Sequence, residues 1–281
     1  MNPNDLPIGV FDSGIGGLSV LSAIKTALPN EPLLYLGDTA RVPYGSRSPE
    51  TIVRYTQRVA GHLLKRGVKA LVIACNTATT YGYEAVNTRC IELGIPVVGV
   101  IQPGAQAASA LKSVSTVAVL GTVATVNGGQ YTKELQALNP NIRVIGKACP
   151  LLVPLVEEGW LNDHITEQII VRYLNEIEGK PDAIILGCTH YPLLKHTFER
   201  ILPKVTIIDS ASVAAKALKR ILKTEGKLRM SASSKIATKY LVTDNLERFK
   251  AIGQQFLHDP LNTIELVDLT DDDEQYMKDL P

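Results

Sequence analysis

Short, unbroken apolar runs alternate along this chain with longer stretches whose apolar residues recur at helical spacing. Ile8 to Phe11, Leu33 to Leu36, Leu71 to Ala74 and Pro96 to Ile101 are runs of the kind that strands buried on both faces require. Between them, Leu18 to Leu28, Thr51 to Arg66 and Thr79 to Leu93 predict helices, and Ser48 before Pro49 and Glu50 reads as a helix cap. The pattern then restarts. After a helical segment from Ala105 to Leu111, strands are expected at Thr116 to Leu120, Ile142 to Ile145, Ala183 to Leu186 and Thr206 to Ile208. Helices are expected at Gln130 to Leu138, Leu152 to Glu158, Asp163 to Glu176 and Ser212 to Lys223.

Strands that alternate with helices make an α/β fold with parallel sheets. Two such successions in one chain predict two doubly wound α/β domains related by approximate duplication. Late strands at Tyr240 to Thr243 and Thr263 to Val267, around a helix at Leu246 to Phe256, are expected to pack back on the first unit. Residues 1–98 with 211–270 would then form a discontinuous first domain and 99–210 a second. Residues 227–234 read as a polar loop, and the acidic stretch 271–281 as a frayed tail.

Composition narrows the partners. With 29 Lys and Arg against 28 Asp and Glu, and no basic cluster, the chain lacks the electrostatic footprint of a nucleic-acid binder. No apolar run reaches the roughly 20 residues needed to cross a bilayer, and the start lacks a basic segment ahead of an apolar core, so a cytoplasmic protein is expected. Four cysteines without close spacing fit neither a disulfide scaffold nor a zinc ribbon, and they read as free thiols with no metal to hold.

Two of the four stand where chemistry is done. Cys75 ends the third strand and is followed by Asn76 and Thr77; Cys188 follows Gly187 at a strand end and is followed by Thr189 and His190. Ligands of open α/β sheets bind beyond the carboxyl ends of the strands. Asp12, Tyr44, Cys75, Thr122 and Cys188 are all expected there. A thiol ahead of a helix N-terminus is acidified by the helix dipole, Asn76, Thr77 and Thr189 can cap the helices, His190 could take the Cys188 proton, and Asp12 could tune the opposing thiol.

The loop after the first strand, Gly14 to Gly17, has Ser19 where a dinucleotide fingerprint needs its third glycine, so nucleotide binding is not expected. Its backbone amides suit a carboxylate and Asp12 suits an ammonium group; the plainer alternative is that Asp12 or Ser13 caps the helix and the glycines only make the turn. Two thiols on opposite sides of one cleft suit removal of a proton from carbon on one face and its return on the other. A single cysteine working with His190 would instead suit acyl transfer. Cys90 and Cys149 read as packing residues, and His62, His164, His196 and His258 as surface or packing residues.

Four motifs in order, D-S-G-I-G-G-L from Asp12, G-D-T-A-R-V-P-Y-G from Gly37, A-C-N-T-A-T from Ala74 and G-C-T-H-Y-P-L from Gly187, resemble the glutamate racemases of the aspartate/glutamate racemase superfamily. The resemblance implies interconversion of L- and D-glutamate without a cofactor, supply of D-glutamate for peptidoglycan, an active site between two α/β domains, and a homodimer. It implies that Cys75 and Cys188 are the acid-base pair, with Cys188 acting on L-glutamate and Cys75 on the D-enantiomer. It also implies roles for Asp12, His190 and Glu157 in catalysis, and for Asp12, Ser13, Pro43, Tyr44, Gly45, Asn76, Thr77, Thr122, Thr189 and His190 in holding substrate. The short segment before the first strand differs from members regulated by a cell-wall precursor, so that control is not expected. Another amino acid as substrate, or a binding module without turnover, would use the same cleft.

Overall fold

The computed structural model describes residues 2–230, 237–257, 261 and 263–280. His258 and residues 231–234 of the expected polar loop lie outside them.

In chain order the first unit is β1 (Ile8–Asp12), α1 (Leu18–Ala27), β2 (Leu33–Gly37), α2 (Pro49–Lys65), β3 (Ala70–Ile73), α3 (Asn76–Glu92) and β4 (Val97–Gly99). The chain continues through α4 (Ile101–Ser109) into β5 (Thr116–Gly121), α5 (Val123–Gly128), α6 (Gln130–Leu138), β6 (Arg143–Ala148), α7 (Leu152–Glu157) and α8 (His164–Asn175). Next come β7 (Ala183–Gly187), α9 (Lys195–Ile201), β8 (Thr206–Asp209) and α10 (Ser210–Thr224), and finally β9 (Thr238–Val242), α11 (Leu246–Gly253), β10 (Ile264–Leu266) and α12 (Asp271–Asp279).

These strands form two all-parallel sheets, ordered β10-β9-β2-β1-β3-β4 and β6-β5-β7-β8. The series β2-β1-β3-β4 and β6-β5-β7-β8 have the same winding, each with its first strand inside its second and third. This repeated order is the duplication expected from the sequence. The central strands β1, β3 and β7 are buried along their whole length, which is why they read as unbroken apolar runs. The edge strand β6 has only exposed and half-buried positions, and its Arg143 and Lys147 pair with Glu178 and Glu176.

One apolar cluster runs through both halves. It takes Ile8 and Val10 from β1, Leu120 from β5 and Leu186 from β7, with Leu18, Leu21 and Ile24 of α1 and Ala211, Ala214, Ala215 and Leu218 of α10. Small alanines let α10 lie close against α1 and α4. Separate clusters cover the outer face of each sheet.

Four local expectations change. The fourth strand stops at Gly99, and Gln102, Pro103 and Gly104 lie inside α4 rather than in a turn; Pro103 is in the first helical turn, where a missing N–H costs nothing. Neither Asp12 nor Ser13 caps α1, whose N-cap is Gly17 with no side-chain bond. Helices α5 and α9 and a 3-10 turn at Tyr191–Leu194 fill segments with no predicted element. The acidic tail is a helix: Thr270 and Asp273 form a capping box, Asp273 and Met277 are buried, and Arg58 and Lys65 of α2 pair with Glu274 and Asp273. Acidic residues in the first turn complement the helix dipole.

Candidate active site

In a sheet wound second-first-third-fourth, the chain leaves its first strand toward one edge and returns for its third toward the other. A crevice opens between the carboxyl ends of those two strands. In the first sheet those ends carry Asp12 (β1) and Cys75 (after β3); in the second, Thr122 (after β5) and Cys188 (after β7). The two crevices face one another and form a single cleft with about 460 Å³ of empty volume, walled by Ser13, Pro43, Tyr44, Gly45, Cys75, Asn76, Thr77, Thr122, Glu157, Cys188, Thr189 and His190, with Val42 and Val153.

Cys75 is itself the N-cap of α3, its sulfur accepting from the Ala78 N–H at 3.4 Å and lying 3.6 Å from Ser13 Oγ. Thr79 Oγ1 donates toward the Ile73 and Cys75 carbonyls and fastens the helix start to the strand end. The sequence predicted that the helix end would acidify this thiol. Burial outweighs it: burial and the charge of Asp12 push Cys75 up to about 12, against the Ala78 and Ser13 bonds that pull it down.

Asp12 stands behind the wall rather than in it. Its carboxylate accepts from the Gly14 N–H at 2.9 Å and from Thr189 Oγ1 at 3.4 Å, and burial raises its pKa despite His190 nearby. Tyr44, on the 3-10 turn Tyr44–Ser46, donates to Asp38 at 2.6 Å; Asp38 also accepts from Arg41 and Thr243, each at 2.9 Å. That anchor holds the Pro43-Tyr44-Gly45 turn against the other half, where a Cβ at Gly45 would lie 2.9 Å from Thr122 Cβ.

Cys188 opens onto a 3-10 turn rather than a long helix. His190 Nδ1 lies 4.0 Å from its sulfur, His190 Nε2 is 3.1 Å from Glu157 Oε1, and Arg248 of α11 donates to Glu157 Oε2 at 2.9 Å. Burial alone would lower the His190 pKa, but its bonds to Cys188 and Glu157 raise it to about 10. The His190 bond in turn holds Glu157 below the usual carboxylate range.

The halves touch directly across the cleft. Ser19 Oγ donates to the Thr189 carbonyl at 2.7 Å, and the hydroxyls of Thr77, Thr122 and Thr125 form a triangle of 2.9, 3.3 and 3.0 Å. Gly16, after β1, serves this approach, and Gly17 makes room for Asp12 within its own half. A Cβ at Gly16 would lie 2.4 Å from both His190 Nδ1 and Thr189 Oγ1, and one at Gly17 would lie 2.4 Å from Asp12 Cβ.

The profile of the Asp/Glu/Hydantoin racemase family matches residues 8–218, which includes both cysteine crevices. This chain belongs to that family. The glutamate racemase of Geobacter metallireducens is 44% identical over 264 residues, 93% of this chain and 96% of that one. The Aquifex aeolicus glutamate racemase is 48% identical over 221 residues, 79% and 85% of the two chains. Among solved structures, the Francisella tularensis glutamate racemase in complex with D-glutamate superposes with a TM-score of 0.88 at 38% identity, covering 95% of this chain and 99% of that one.

Within this member of the family, every site residue singled out from the sequence lies in the cleft wall except Asp12, which lies against it. Cys90 and Cys149 are packed in the interior, His164 and His196 are exposed, and His62 sits on α2 beside Asp273. Three participants carried no sequence signal: Arg248, which completes the Glu157-His190 chain from far along the sequence; Tyr35, whose hydroxyl donates to the Gly14 carbonyl at 2.8 Å; and Tyr131, whose hydroxyl donates to Asn76 Oδ1 at 2.8 Å, whereas Asp38, which anchors Tyr44, stands in the motif that begins at Gly37. Among the described residues, no helix is long and apolar enough to cross a membrane, and no group of three His, Cys, Asp or Glu could hold a metal ion.

Proposed function

We propose that this chain is a glutamate racemase working by two bases without a cofactor. What carries the reading is the pair of cysteines at equivalent strand ends of two like-wound sheets, both lining one cleft. Its relatives' activity on glutamate gives the substrate.

In the L-to-D direction, Cys188 as thiolate takes the proton from Cα. His190 lies beside that sulfur, and its bonds to Cys188 and Glu157 keep the imidazole charged. Cys75, held as a thiol by burial beside Asp12, delivers its proton to the other face of the carbanion. One C–H bond breaks and one forms, Cys188 ends protonated and Cys75 ends as thiolate. The reverse reaction starts from that state. Ser13, Asn76, Thr77, Thr122 and Thr189 supply the donors that hold the carboxylates, with Pro43, Tyr44 and Gly45 as a fixed wall. Asp12 acts through Thr189 and on Cys75.

The same reading assigns residues 1–98 and 211–270 to one domain and 99–210 to the other, and α12 joins the first through its contacts with α2. It makes the protein a cytoplasmic homodimer that supplies D-glutamate to peptidoglycan synthesis. Incubation of the metal-free protein with L-glutamate in deuterated water tests the chemistry. Loss of optical activity with one deuterium gained at Cα is expected. Turnover of aspartate and not of glutamate would overturn the substrate, and no exchange with either would leave a binding protein.

A further inference from the structure

Asn76 is the residue after Cys75, it lines the cleft, and it is almost wholly buried. Its two amide atoms are treated differently by the protein. Oδ1 accepts the Tyr131 hydroxyl at 2.8 Å, whereas Nδ2 is buried without any partner from the protein. A buried amide donor left unpaired costs about 1–3 kcal/mol. Such a group is kept where something else is to accept its hydrogen bond.

Tyr131 comes from α6, on the side of the cleft opposite Asn76, and its ring is seated by two glycines. A Cβ at Gly187, the residue before Cys188, would lie 3.2 Å from one edge of the ring; a Cβ at Gly104 in α4 would lie 3.2 Å from the other edge and 3.4 Å from the hydroxyl. The phenol thus rests on the backbone of the Cys188 strand end while its hydroxyl reaches the Cys75 strand end. Its second polar neighbour is Ser210, whose own hydroxyl donates to the Leu186 carbonyl at 2.9 Å. Burial raises the Tyr131 pKa, so the phenol keeps its proton and acts as a donor.

We propose that Tyr131 is a positioning residue: by donating to Asn76 Oδ1 it turns the Asn76 amide so that Nδ2 faces the cleft and binds a carboxylate oxygen of the substrate. The amide of an asparagine can present either end, and only a donor on the far side selects the nitrogen for an anionic ligand. The ring's seat on Gly187 and Gly104 fixes that donor relative to both thiols. This assignment rests on the glutamate reading, and its effect belongs to binding rather than to proton transfer, because the carboxylate is present in ground and transition states alike.

Tyr131→Phe keeps the ring and deletes the hydroxyl. A rise of about tenfold in KM for both enantiomers is expected, with kcat within about twofold, as befits loss of one hydrogen bond to a charged group. The Kd for D-glutamate by calorimetry rises in parallel. Gly104→Ala, which touches no cleft residue and crowds the Tyr131 hydroxyl, gives a smaller rise in KM that vanishes in the Tyr131→Phe background. Unchanged KM and Kd in folded Tyr131→Phe, a fall confined to kcat, or a Gly104→Ala effect that persists undiminished without the hydroxyl would each overturn the assignment. Wild-type protein that neither binds nor inverts glutamate overturns the substrate reading instead, so the two failures are told apart.

Discussion

Cys75 and Cys188 occupy the same slot in two sheets wound the same way, and their surroundings have little else in common. Cys75 caps a 17-residue helix, accepts a backbone N–H and faces a buried carboxylate; Cys188 precedes a short 3-10 turn and faces a histidine kept charged by its bonds to Cys188 and Glu157. The shared slot comes from topology, which delivers a side chain to the carboxyl end of the third strand of each unit. The difference comes from single residues placed afterwards. A helix terminus was expected to acidify the first thiol, and burial with a neighbouring negative charge reverses that. Charge surroundings therefore differ at two groups that backbone geometry makes equivalent, and the proposed two-base inversion draws on that difference.

The comparison can be broken most severely at the sulfurs. Cys75→Ser and Cys188→Ser are each expected to lower racemisation by about 10³-fold or more, in keeping with loss of a general acid or base. Each variant should retain slow deuterium exchange with only one enantiomer, and opposite enantiomers for the two variants, as followed by mass analysis. Equal exchange of both enantiomers by either variant would remove the division of labour.

A smaller effect is expected at the relay. Glu157→Gln removes the charge that keeps His190 protonated, so kcat should fall about tenfold or more and the basic limb of the pH profile should move to lower pH. The sign is fixed by His190, whose folded pKa of about 10 exceeds its ordinary value of 6.5. Its contribution to stability is complete below that ordinary value and is lost as pH rises toward 10. Urea midpoints of wild type and His190→Asn should accordingly converge between pH 7 and 10.

Next is Gly16→Ala. Its methyl would enter the space of His190 and Thr189, and about 1–3 kcal/mol of destabilisation is expected in urea unfolding, together with a fall in kcat. The smallest effect belongs to Arg248→Gln. Arg248 is half exposed, so its ion pair with Glu157 is worth at most about 1 kcal/mol, and a change in Tm of no more than a few degrees is expected in a thermal scan.

Much of this architecture is legible in the sequence because parallel strands covered on both faces must be apolar throughout, so β1, β3, β5 and β7 announce themselves. The strand ends that follow name the chemistry. Other features were hidden for definite reasons. Gln102-Pro103-Gly104 has turn composition, yet Pro is at home in a first helical turn and Gly104 makes room for Tyr131. The tail's charges suggested fraying, although Thr270 and Asp273 at capping-box spacing were visible and give the helix its start. Tyr131 reads as a core-facing residue of its helix and Arg248 as a surface one; only the tertiary arrangement brings one under Asn76 and the other onto Glu157.

The absent side chain at Gly16 ties the histories of the two halves together. Because His190 and Thr189 fill the space that a methyl would take, position 16 cannot drift unless residues about 170 positions further along shrink or move with it. A sequence comparison across many relatives should therefore find these positions changing together or not at all. Two units that began as copies are in this way prevented from diverging independently at the surface they share.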